Sequence, residues 1–141
     1  MRRNGEIIVI EDDEDDRLFL KDIFDSLDYP NKIVFFDDPT QVVQYLLDPG
    51  VNPFIVLSDI NMPKINGYEL RNQILAIDKI NEKCVPFIFL STSKNPDNVN
   101  KAFKLSVHGY FKKEHDFKTY KIMIRNIVEY WRTSLTPGAS F

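Results

Sequence analysis

Ile7-Ile8-Val9-Ile10-Glu11-Asp12-Asp13-Glu14-Asp15-Asp16 runs from four consecutive apolar residues straight into six consecutive acids. Unbroken apolar character over four residues, rather than alternation, predicts a strand buried on both faces, as in a parallel sheet. Four further short runs share this character: Ile33–Phe36, Phe54–Leu57, Phe87–Leu90 and Tyr110–Phe111. Segments with helical spacing separate them. The first carries Leu18, Phe19, Ile23, Phe24 and Leu27, and the second opens at Asp38-Pro39, a cap followed by proline at the first helical position. A third runs from about Gly67 to Ile77. A fourth starts near Asn95-Pro96-Asp97 and is expected to bury Val99, Ala102 and Phe103. A fifth starts near Asp116 with Phe117, Tyr120, Ile124, Ile127 and Trp131 on one stripe. Five alternations of strand and helix predict an α/β fold with five parallel strands covered on both sides by five helices.

Length and composition agree with a single domain. The chain has 141 residues, 43% hydrophobic and 28% charged, enough to bury a core without staples. Its 18 Lys+Arg against 21 Asp+Glu leave −3, which argues against a nucleic-acid partner. The acidity is local: Glu11–Asp16 holds six of the acids, and the rest of the chain is mildly basic at +3. One cysteine, Cys84, excludes an internal disulfide or a cysteine-built zinc site. No apolar stretch is long enough for a membrane span or a secretory leader, so a cytoplasmic protein without a membrane partner is expected.

Ligands of an open parallel sheet bind beyond the carboxyl ends of the strands. The residues in that position are Glu11 and Asp12 after the first run, Asp59 and Asn61 after the third, Ser91 after the fourth, and Lys112 and Lys113 after the fifth. Converging carboxylates need a cation, and oxygen donors without His or Cys select a hard ion such as Mg²⁺. A carboxylate can also be a nucleophile, with a lysine and a hydroxyl holding a phosphoryl group. Phosphoryl transfer is mostly positioning and charge neutralisation, so this set suggests Mg²⁺-assisted transfer to an aspartate.

Four segments together resemble the receiver domain of two-component response regulators, of the stand-alone, chemotaxis-regulator-like kind. They are Ile8-Val9-Ile10-Glu11-Asp12-Asp13, Leu57-Ser58-Asp59-Ile60-Asn61-Met62-Pro63 with Asn66-Gly67, Phe89-Leu90-Ser91-Thr92, and Gly109-Tyr110-Phe111-Lys112-Lys113. The resemblance implies a doubly wound sheet in the flavodoxin-like order 2-1-3-4-5, a receiver over residues 1–133 and a flexible tail over 134–141. It implies that Asp59 is the phosphorylation site, with Mg²⁺ held by Glu11, Asp12, Asp59 and the backbone carbonyl of Asn61. Lys113 would contact the phosphoryl oxygens, Ser91 would turn toward them, and Tyr110 would report the switch to the surface. The implied partners are a sensor histidine kinase or phosphotransfer protein and a downstream protein. A homodimer through the fourth helix, fifth strand and fifth helix is a further implication. Such a chain is a signalling module rather than an enzyme, limited to self-phosphorylation and slow autodephosphorylation.

One departure stands out. The family usually has proline after the lysine, often in a cis bond, whereas Glu114 follows Lys113 here. A cis bond to a non-proline residue costs about 3–4 kcal/mol. Two other functions compete. An aspartate-nucleophile phosphohydrolase of the haloacid dehalogenase type wants Asp-x-Asp-x-Thr/Val, and Asp13-Glu14-Asp15-Asp16-Arg17 lacks the last residue. A receiver-like scaffold without phosphorylation would not need the acid pair, Asp59 and Lys113 intact. An EF-hand fails because its sixth position, counted from Asp12, is Arg17 rather than glycine. For Glu14, Asp15 and Asp16 the expected role is only to favour the positive end of the first helix.

Overall fold

The computed structural model describes residues 1–137. Five parallel strands, β1 (Ile7–Ile10), β2 (Ile33–Phe36), β3 (Ile55–Ser58), β4 (Phe87–Ser91) and β5 (Gly109–Lys112), form one sheet in the order β2-β1-β3-β4-β5. The helices are α1 (Glu14–Leu27), α2 (Val42–Leu47), α3 (Gly67–Leu75), α4 (Asp78–Asn81), α5 (Pro96–Lys104) and α6 (Phe117–Thr133). The expected order is therefore present, with one helix more than expected.

Each apolar run supplies both faces of the sheet, because successive side chains point to opposite sides. Ile7 and Val9 of β1, Ile55 and Leu57 of β3, and Ile88 and Leu90 of β4 pack against α1 and α6 through Leu20, Ile23, Phe24, Ile124, Ile127 and Val128. Ile8, Ile10, Val56, Phe87 and Phe89 face the other way, against Val42, Leu46, Leu70, Ile74 and Ala102 of α2, α3 and α5. Strands β1, β3 and β4 are fully buried, whereas β2 and β5 are half-buried at the edges.

Helix starts follow local chemistry. Asp13, Asn66, Asn95 and Asp116 each accept a hydrogen bond from a backbone N–H in the first turn of α1, α3, α5 and α6. Asn66 and Glu69 complete a reciprocal capping box. Two boundaries differ from expectation. Asp38 and Pro39 open a short 3₁₀ turn, Pro39–Gln41, that leads into α2. The third helical segment stops at Leu75, because Ile77 turns extended and the Asn81 side chain donates to the Leu75 carbonyl at 2.7 Å. The chain then forms α4, which buries Ile80. Phe103, expected in the core, is 52% exposed.

Of the stretch read as a tail, Ser134 to Pro137 lie within the described residues, and residues 138–141 lie outside them. Arg3 donates to the carbonyls of Arg132 and Ser134. Among the described residues no helix is long and apolar enough to cross a membrane.

Candidate functional site

In this strand order the chain leaves β1 toward β2 on one side and returns to β3 on the other, so a crevice opens between the carboxyl ends of β1 and β3. Glu11 and Asp12 follow β1 into it and Asp59 follows β3, with Ile10 and Ser58 paired as neighbours. Carboxylate oxygens of Glu11, Asp12 and Asp59 lie within 4.8 Å of one another. Glu11 and Asp59 are buried, and Asp12 is partly exposed.

Backbone groups fix these acids. The Ile60 N–H donates to Asp59 Oδ1 at 2.8 Å, and the Asp13 N–H donates to Glu11 Oε1 at 3.1 Å. Arg17 donates from Nη1 to the carbonyls of Glu11 and Asp12, both at 3.1 Å, clamping the turn into α1. The loop after β3 is closed by the Gly67 N–H donating to the Ile60 carbonyl at 2.7 Å. Only glycine fits there: a Cβ on Gly67 would lie 2.5 Å from the Asp59 carbonyl oxygen.

Lys113 reaches into the crevice from the end of β5. Its Nζ lies 2.6 Å from Glu11 Oε2, 2.9 Å from Asp16 Oδ2 and 3.4 Å from Asp59 Oδ1. The Lys113–Glu114 bond is trans, as is every peptide bond among the described residues, so the ammonium reaches the acids without the cis bond usual in the family. Its neighbour Lys112 closes β5, and among the described residues the ion pairs to these acids come from Lys113.

Burial, followed by the charge of Asp59, raises the Glu11 carboxyl to about 7 despite its bond to Lys113. Burial likewise raises Asp59, against the pull of the Lys113 charge. Burial alone would lower the Lys113 ammonium, but its bonds to Glu11 and Asp16 and the charge of Asp59 together hold it above its ordinary value. One ammonium therefore under-compensates the acids around it. A divalent cation among Glu11, Asp12 and Asp59 would stabilise all three in ionised form. Three hard oxygen donors without His or Cys fit Mg²⁺ or Mn²⁺.

Ser91 ends β4 and is buried, and its Oγ accepts the Ser93 N–H at 3.2 Å. Tyr110, half-buried in β5, donates its hydroxyl to the Ser93 carbonyl at 2.8 Å. The two candidate switch residues are thus joined through one residue. The Ser93 hydroxyl also accepts from the Asn95 N–H and the Asn98 side chain, tying it to the start of α5. Asn61, two residues beyond Asp59, is exposed in the loop before α3.

One residue corrects the sequence reading. Asp16, expected only to favour the helix end, is a direct partner of Lys113. No local signal could have revealed this, since the two residues are far apart in the chain. Asp13, the first residue of the stretch that fails the phosphohydrolase pattern, caps α1 by accepting the Asp16 N–H at 2.9 Å.

A doubly wound parallel sheet with an acidic crevice at its switch point and a lysine across from the acids defines a phosphate- and cation-handling class of α/β protein. Comparison with known proteins narrows this. The model of the family described as the response regulator receiver domain matches residues 7–125. The chain belongs to this family of signalling modules. It is 28% identical over 129 residues to a probable methanogenesis regulatory protein, FilR2, of Methanothrix harundinacea, across 89% of this chain and 82% of that one. The structure of the phosphorylated cyanobacterial phytochrome response regulator RcpA superposes with a TM-score of 0.83 at 24% identity, covering 96% of this chain and 99% of that one. The receiver domain of sensor histidine kinase PA1611 from Pseudomonas aeruginosa, which has a magnesium ion coordinated in its active site cleft, gives 0.75 at 19% identity, with coverages of 93% and 99%.

Proposed function

We propose that this chain is a phosphoryl-accepting switch in a two-component pathway, with Asp59 as the acceptor. The observation that supports this most directly is the meeting of Glu11, Asp12 and Asp59 at one point with the Lys113 ammonium 3.4 Å from Asp59. An Asp59 carboxylate oxygen forms a bond to phosphorus, and the P–N bond of a partner kinase's or phosphotransfer protein's phosphohistidine breaks, the imidazole leaving with a proton. A small acyl phosphate would serve as donor in the same way. Glu11, Asp12, Asp59 and the Asn61 carbonyl would hold Mg²⁺, which when bound neutralises charge on the transferring group.

The chain's own residues do the rest. The Ile60 N–H fixes the plane of the Asp59 carboxylate. Lys113 supplies a point charge to the phosphoryl oxygens. The new group brings up to about two negative charges, and Ser91 turns toward it, giving up the Ser93 N–H. That loosens the Ser93 carbonyl held by Tyr110, so a local charge change reaches β5 and α5. The surface offered to a downstream protein or a second copy is then that of α5, β5 and α6, where Phe103 is exposed.

Incubation with Mg²⁺ and acetyl phosphate, followed by intact mass, tests the reading. One phosphoryl group should appear on the wild type and none on Asp59→Asn. An adduct that persists in that variant, or multiple turnover on free phosphoesters, would overturn it.

A further inference from the structure

Lys113 does not sit symmetrically among its three carboxylates. Its contacts with Glu11 and Asp16, at 2.6 and 2.9 Å, are in the range of charge-assisted hydrogen bonds, whereas Asp59, at 3.4 Å, lies beyond it. Glu11 is buried at the end of β1 and is pinned through its other oxygen by the Asp13 N–H. Asp16 differs in kind. Its side chain is 47% exposed, and among the described residues its carboxylate has one hydrogen-bond partner, Lys113.

A small cavity lies beside the Lys113 side chain. Its volume is about 40 Å³, and Asp16, Thr92, Lys113 and Tyr120 are among the residues that line it. The Tyr120 hydroxyl is buried and has no hydrogen-bond partner among the described residues. Lys113 thus has space beside it, and its close polar contacts are to the carboxylates of Glu11 and Asp16.

We propose that Asp16 is a positioning residue for the chemistry at Asp59: its carboxylate holds the Lys113 ammonium back from the acceptor, and this contact is released when a phosphoryl group arrives. This inference rests on the reading of Asp59 as the phosphoryl acceptor. A phosphoryl group carries more charge than one carboxylate and draws the same ammonium. Asp16 is the weaker of the two hydrogen-bonded competitors, because water screens a half-exposed charge. Its register in the first turn of α1, set by the Asp13 cap, brings it to Lys113. The contact thus opposes the phosphorylated state and sets how readily that state forms.

Titration of wild type, Asp16→Asn and Asp16→Glu with beryllofluoride in saturating Mg²⁺, followed by ¹⁹F NMR, tests this. Asp16→Asn keeps the side chain's size and removes its charge. It should bind beryllofluoride about three- to fivefold more tightly, the scale of a partly exposed ion pair. Mg²⁺ alone should bind the variant within about twofold of wild type on the same reasoning, since Asp16 is not among the three clustered acids. Asp16→Glu, which restores the charge, should return the affinity to that of wild type. Unchanged or weaker binding by Asp16→Asn overturns the inference while leaving Asp59 as acceptor. Failure of wild type to bind beryllofluoride, or equal binding by Asp59→Asn, overturns the proposed function and this inference with it.

Discussion

Two lysines at opposite ends of the sheet are held in opposite ways. Lys83, in the loop before β4, donates to three backbone carbonyls, those of Leu46 at 2.6 Å, Asp48 at 2.8 Å and Val51 at 2.6 Å. Lys113 is held by three carboxylates. Burial lowers the Lys83 ammonium below its ordinary value, while the anions around Lys113 raise that group above it. Carbonyls of α2 and the following turn are fixed by the fold, so Lys83 works as a staple between segments. Carboxylates are charged and can be re-partnered, so Lys113 answers to any new anion or cation in the crevice.

Replacing each lysine by methionine separates the two roles. Lys113→Met strands buried acids and should cost about 3 kcal/mol at pH 8 in urea unfolding. The cost should shrink as pH falls, because the stranded carboxylates take up protons, and Mg²⁺ should restore much of it by replacing the lost charge. A cost that ignores both pH and Mg²⁺ would mean that Lys113 is a staple too. Lys83→Met should cost about 2 kcal/mol through lost bonds to a charged donor. That loss should be indifferent to Mg²⁺, and any recovery with the ion would blur the distinction.

The acids also set a pH dependence. Glu11 is raised from 4.5 to about 7 in the folded chain, so the folded state binds this proton more tightly than the unfolded state does. The stabilisation from that proton is complete below about pH 4.5 and is lost as pH rises through about 7 in metal-free protein. Mg²⁺ requires the ionised form, so its affinity should rise by up to about tenfold per pH unit toward 7 and flatten above. Calorimetric titration across this range measures the slope, and a flat profile would remove Glu11 from the metal set. The smallest effect is expected at the capping box of α3. Asn66→Ala should cost about 1 kcal/mol without changing Mg²⁺ affinity, checked by thermal unfolding and the same titration.

Much of this was legible in the chain. The five apolar runs all became strands, because continuous apolar character is a local property of the chain, whether the strand is central, as β1, β3 and β4 are, or half-buried at an edge, as β2 and β5 are. Asn95 and Asp116 marked helix starts, since capping is local chemistry. The end of α3 was not legible. Ile77 continues the helical spacing of Leu70 and Ile74, and it takes the side chain of Asn81, donating to Leu75, to end the helix first. Phe103 read as core for the same reason: periodicity gives a stripe but not how wide a neighbour covers it.

The sequence by itself determined the strand ends and hence which acids, hydroxyl and lysine could share one rim, because side-chain type and strand boundary are local properties. Tertiary structure decided how they share it. The distances from Lys113 to Glu11, Asp16 and Asp59 depend on how α1 and β5 register across the sheet. Such a register is set by packing between residues far apart in the chain. Asp16 shows the difference most plainly: one acid among six in sequence, it holds the lysine in the folded molecule.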